Sequence, residues 1–158
     1  MSLSDLASIS FIVQGILLVV SVALVWYQLR ENTDLVRASN TQKLVELSSP
    51  FYLQIIQNRE LAELWRQGPQ RFDDMDEVDR ERYMNLLIWW LMLHENIYHQ
   101  RNKKLIDSDT YVSWTRDLEY FARRQKLGVY WERMNSYFEA SFSEHVTEII
   151  VRQTSETK

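Results

Sequence analysis

A long apolar run without charge comes near the start of the chain. From Ile9 to Tyr27, overlapping the stretch "SFIVQGILLVVSVALVWYQLREN" at 10–32, 19 residues pass without a charge. At a rise of about 1.5 Å per residue this matches the hydrocarbon thickness of a bilayer, so the run predicts one transmembrane helix. A secretory signal would need a basic leader and a small-x-small cleavage site. Met1 to Ser8 holds only Asp5 instead, and the run closes on bulky Val25-Trp26-Tyr27. Trp26 and Tyr27 suit the aromatic belt, where an amphipathic ring rests at headgroup level. The alternative is a buried helix of a soluble protein, but such helices seldom run so far without a charge.

Beyond the run no breaker comes before Pro50, and the register continues through Leu29, Val36, Leu44 and Leu47. One helix is therefore expected from about Asp5 to Ser48. Ser49-Pro50 reads as the N-cap and first-turn proline of a new helix through Phe51, Leu53, Ile55 and Ile56. Asn58 can cap a short helix, "RELAELWRQ", that Gly68-Pro69 would end. Asp74 with Glu77 three residues on forms an acidic capping box for the next helix, and Asp76 and Asp79 suit its positive dipole end. The middle of that helix, "LLIWWLML", is apolar on every side. From Tyr83 to Leu93 it offers only 11 residues, too few to span a bilayer, so it predicts the buried centre of a bundle. Asp107 restarts a helix with Tyr111, Trp114, Leu118 and Phe121 on one face. A short helix around Trp131 and Met134 and another capped by Ser141, with Glu144 as box partner, complete the set.

The pattern predicts an all-α protein in three parts: a transmembrane anchor over 1–28, a helical domain over 29–152 and a polar tail over 153–158. Three Gly and two Pro are too few for a β-sandwich or barrel, which must turn every ten residues or so. Of 158 residues, about 130 remain after the anchor, enough for one domain with its own core. Six Trp and 13% aromatics predict a bulky core. With no cysteine there is no disulfide, thiolate metal site or Cys nucleophile. A net charge of −4 without a basic block leaves nothing to neutralise nucleic-acid phosphates, so no nucleic-acid partner is expected.

Charge also orients the anchor. No basic residue precedes the span, whereas Arg30, Arg37 and Lys43 follow it, so the positive-inside rule puts the N-terminus outside and the helical domain in the cytoplasm. Arg30, Asn32 and Arg37 begin just beyond the aromatic belt, where guanidinium groups can engage lipid phosphates or simply solvate the emerging helix. Within the span, steps of three and four connect Ala7, Ser10, Gln14, Leu17, Ser21, Leu24 and Gln28. Most of the small or polar residues of the span fall on this heptad-like stripe. Polar side chains in hydrocarbon face other helices, so the stripe predicts parallel self-association, with another membrane protein or a narrow pore as alternatives.

The chemistry-bearing stretch is "HENIYHQ". His94 and Tyr98, and Glu95 and His99, are each four apart, so each pair shares a helix face. A di-iron bundle needs Glu-x-x-His from two helices and two further glutamates, and no H-E-x-x-H is present, so no metal is expected. "DDMDEVD" lacks the central Gly and terminal Glu of a calcium loop. No phosphate cradle, nucleophile elbow or Ser/His/Asp arrangement occurs, and no cofactor is expected. His94, Glu95, Asn96, His99 and Gln100 are thus read as a hydrogen-bonded polar layer on the apolar core, with a ligand pocket as the alternative.

The stretch "QLRENTDLVRASNTQ" resembles a family of small bacterial membrane proteins in which one N-terminal span is followed by Q-x-R-x-N-T and R-A-S-x-x-Q. The matching positions are Gln28, Arg30, Asn32 and Thr33, then Arg37, Ala38, Ser39 and Gln42. The resemblance extends through "RELAELWRQG", Glu95, Asn96 and Gln100 to Trp131-Glu132, and implies an inner-membrane anchor with a cytoplasmic helical domain and no particular activity. The expected function is a non-catalytic, self-associating interaction or accessory protein, with membrane lipid and other copies of itself as partners. A membrane-tethered enzyme or small-molecule sensor using the Glu95/His99 region is the alternative.

Overall fold

The computed structural model describes residues 3–155, with side chains from residue 10 onward. The chain is all-α: α1 (Leu3–Gln57), α2 (Arg59–Arg71), α3 (Glu77–Asn102), α4 (Ser108–Arg124), α5 (Leu127–Met134) and α6 (Ala140–Ser155), with 3-10 turns at Phe72–Asp74 and Asn135–Tyr137. No strand occurs among the described residues. The chain divides into two units, Met1–Ser39 and Asn40–Lys158, and residues 29–39 group with the apolar segment. The first unit is the leading part of α1.

In the second unit α1 does not break at Ser49-Pro50 as the sequence suggests; it runs on to Gln57 with Pro50 inside. Proline removes one helical N–H, the donor that would meet the Glu46 carbonyl. Neighbouring hydroxyls turn inward instead of capping: Ser48 and Ser49 donate to the Val45 carbonyl at 3.0 and 2.6 Å. Leu44, Ser48 and Phe51 are buried on one face across the proline, and that packing keeps the helix continuous.

Asn58 caps α2 as expected, accepting from Leu61 N–H at 3.2 Å. Gly68-Pro69 does not end it, however; the helix continues to Arg71 with both residues buried. Gly68 meets α3, where a Cβ would collide with the ring of Tyr83. The cap of α3 is Asp76, not Asp74: its Oδ1 accepts from Asp79 N–H at 2.8 Å. Arg80 holds the preceding turn by donating to the carbonyls of Phe72, at 3.4 Å, and Met75, at 3.0 Å, which delays the helix by two residues.

α3 buries Tyr83, Leu86, Leu87, Trp90, Leu91, Leu93, His94 and Ile97. It is not covered on every side, since Trp89 and Met92 are 40% and 57% exposed on the line through Asn85 and Asn96. Asp107 caps α4 as read, accepting from Thr110 N–H at 2.7 Å. Ser141 is not the cap of α6: the helix starts at Ala140 and the Ser141 hydroxyl donates to Glu139 Oε1 at 3.2 Å. α6 also extends to Ser155, so Gln153 to Ser155, expected in the tail, form its last turn; residues 156–158 lie outside the described residues. The core is aromatic, with Phe51, Trp65, Trp90 and Phe121 packed largely edge to face and Phe72, Tyr83 and Tyr130 grouped beside Gly68.

Candidate functional site

The first unit presents an uncovered apolar helix. An 18-residue window of it has mean hydropathy 2.1, and none of that window is buried. One helix is therefore long and apolar enough to cross a membrane. Ser10, Gln14, Leu17, Ser21, Leu24 and Gln28 follow one another on it in steps of three and four, all exposed; the Ala7 side chain lies outside the described residues. Gln14 Nε2 approaches Ser10 Oγ at 3.5 Å, and the Ser21 hydroxyl donates to the Leu17 carbonyl at 2.8 Å. Ser21 thus satisfies its donor within its own helix, whereas the side-chain Oε1 of Gln14 has no partner among the described residues.

The polar residues after the run have separate environments. Arg30 stacks its guanidinium on the Trp26 ring, 5.9 Å from the centroid. Arg37 pairs with Asp34 at 3.7 Å, and Asn32 is exposed. Arg30 keeps its charge free of any carboxylate among the described residues, on the shallow concavity it lines with Tyr27, Glu31, Asp34 and Leu35.

In the second unit the polar residues of α3 divide into three contacts and do not share a single cavity. Glu95 Oε1 accepts from the Glu139 N–H at 2.7 Å, and His99 Nε2 lies 3.0 Å from Glu139 Oε2. The i, i+4 pair of α3 therefore clamps the residue preceding α6. Gln100 donates to Asn96 Oδ1 at 2.6 Å along the surface. His94, buried, faces the other way and meets Asp117 of α4, with Nε2 3.2 Å from Oδ2. Its ring packs edge-on against Trp90 and Trp114.

Asp117 and Tyr52 are the residues that sequence reading missed. Burial, reinforced by the charge of Asp117 and a hydrogen bond to it, pushes the Tyr52 hydroxyl up to about 12. Burial lowers His94 below the ordinary histidine value, with Asp117 opposing. At neutral pH the imidazole is neutral and donates Nε2–H to the Asp117 carboxylate, which also accepts from Tyr52. This Tyr-Asp-His chain ties α1, α4 and α3 together. A phenol titrating near 12 stays protonated at neutral pH, and the cavity between His94, Tyr98, Trp114, Phe142 and His145 holds about 10 Å³, room for one water at most. Only the polar identity of Asp117, within an otherwise apolar-faced helix, could have flagged it.

His145 stacks on Tyr98 with ring centroids 5.1 Å apart, and burial lowers its pKa as well. Among the described residues no group of three or more His, Asp or Glu is arranged to hold a metal ion. No family model, curated protein or solved structure matches the chain.

Proposed function

We propose that the chain is a non-catalytic helical protein of a bacterial inner membrane, held by one span with its N-terminus outside and its bundle in the cytoplasm. It associates with copies of itself through that span and serves as an interaction or accessory subunit. The observation that carries this reading is the apolar window of α1, uncovered along its whole length. Water cannot solvate so long an apolar helix, and lipid with a facing helix can. Arg30, Arg37 and Lys43, all beyond the run, support the orientation. Arg30, whose charge is unpaired, is the residue best placed to meet a lipid phosphate. The unpartnered side-chain Oε1 of Gln14 supports association along the stripe. Against a tethered enzyme or sensor stands the clamp on Glu139, which occupies both Glu95 and His99.

The absence of native cysteine makes the test clean. Single cysteines at 10, 14, 17, 21 and 24 should crosslink efficiently in membranes, while those at 12, 16 and 19 should not. Uniformly weak crosslinking, together with a monomer's size in detergent for both the native chain and Gln14→Leu, removes self-association. Release by alkaline extraction, or external labelling of a reporter placed after Lys158, removes the anchor or its orientation.

A further inference from the structure

We infer that the open basin where the C-terminal ends of α2 and α4 meet is a binding site for a phosphate-bearing anion. The basin, about 670 Å³, is lined by Arg66, Gln67, Gln70, Arg71 and Arg124, with no carboxylate in its wall. None of its three arginines forms an ion pair among the described residues. Arg71 spends one donor on Gln67 Oε1 at 3.0 Å, and Arg124 spends one on the Tyr120 hydroxyl at 2.9 Å. Both partners are neutral, so the guanidinium charges stand uncompensated and most of their five N–H donors each remain free. Because Arg71 engages the Gln67 carbonyl, the Gln67 amide nitrogen is left to donate too.

The ordinary role of such arginines is to offset helix dipoles, and the magnitudes decide against that as a sufficient account. Arg71 closes α2 and Arg124 closes α4. Each helix end carries about −0.5 charge, together about −1, against three full positive charges. Arg71 and Gln67 also border a neighbouring basin lined by the carboxylates of Glu60, Glu63, Asp74, Asp76 and Asp79 together with Arg82. Leaving Arg71 out entirely still leaves a surplus of about +1, and counting it gives about +2. This surplus sits on a chain whose net charge is −4, so it is a local arrangement and not a spill-over of overall basicity. A phosphate group carries a matching charge of about −1 to −2 and accepts paired N–H donors from the planar guanidinium fork. Its source is either a soluble phosphate compound or an anionic lipid headgroup.

The two sources separate in one calorimetric experiment on the full chain in maltoside detergent. One arm titrates pyrophosphate. The other titrates mixed micelles of phosphatidylglycerol, with zwitterionic phosphatidylcholine as the blank. Saturable binding of one probe per chain is expected in at least one arm, and the arm that responds names the source. Arg66→Gln with Arg124→Gln should weaken it by about tenfold or more, and the matching pair of lysine replacements, which keep charge but lose the fork, should fall between. Removing equal charge elsewhere, at Lys103 and Arg116, should leave binding within about twofold. The two substituted residues, Arg66 and Arg124, are exposed, so the melting temperature should not change. No saturable binding in either arm, or an equal loss in the Lys103/Arg116 control, overturns the site.

Discussion

Gly68→Ala sets helix propensity against tertiary packing, and the two predict opposite signs. In an isolated helix the change stabilises by about 1 kcal/mol. In α2 the added methyl lands inside the ring of Tyr83, a residue with no exposed surface. The ring cannot swing away freely, because its hydroxyl donates to Gln125 Oε1 at 3.1 Å, which is itself fully buried. Relief therefore requires α2 to move off α3 or that bond to break. Overpacking costs about 1–3 kcal/mol, and leaving the buried pair unsatisfied costs about 1–3 kcal/mol. With both costs incurred and the propensity gain subtracted, net destabilisation of about 1–5 kcal/mol is expected, or a fall of several degrees in melting temperature for a unit of this size. Gly128→Ala is the milder contrast: its Cβ would meet only one atom, Ile150 Cγ2 at 2.9 Å, a methyl on a partly exposed side chain and not a fully buried ring. Its effect should lie within about 1 kcal/mol of zero. Far-UV circular dichroism melts of both variants in the same detergent measure the difference. A Gly68→Ala chain as stable as the native one, or more so, would refute the close approach of α2 to α3.

The other predictions concern the core, the cap and pH. Trp90→Ala should cost about 3–5 kcal/mol by chemical denaturation, whereas Trp89→Ala, removing a ring that is 40% exposed, should cost clearly less; equal costs would contradict the orientation of α3. Asp76→Ala should lose about 1 kcal/mol and Asp74→Ala close to nothing, and the reverse ranking would return the cap to Asp74. His94 is held below 6.5 in the folded chain, so between its folded value and 6.5 the unfolded chain binds a proton that the folded one refuses. Stability should therefore be fully present above about pH 6.5 and decline as pH falls below it. The imidazole faces Asp117, Trp90 and Trp114, with His145 across the small cavity, and His145 is shifted in the same direction. Denaturation midpoints at about pH 7.5 and 5.5 should differ less in His94→Gln than in the native chain, and an unchanged difference would assign the slope elsewhere.

Much of the architecture is written locally. A run of 19 uncharged residues can only be one long apolar helix, and side chains of Asn58 and Asp107 reach backbone N–H groups three residues ahead whatever surrounds them. The caps of α2 and α4 and the apolar helix were legible for that reason. Pro50, Gly68 and Asp74 were misread because each is a genuine local stop or start signal that a non-local contact overrides. Packing of Leu44, Ser48 and Phe51 carries α1 through its proline, the Tyr83 ring gives Gly68 a packing role, and Arg80 reaches back to hold the turn that displaces the cap. The polar residues of α3 show the same division. Spacing placed Glu95 beside His99 and His94 beside Tyr98 on their faces of the helix. Which face meets which neighbour depends on how α3 is rotated in the bundle, a quantity set by the summed burial of Tyr83, Leu87, Trp90 and Leu91 and not by any short segment. Only that rotation brings His94 to Asp117 and turns Glu95 and His99 onto Glu139. In the same way, only the meeting of two helix ends gathers arginines 66, 71 and 124, scattered in sequence, around one basin.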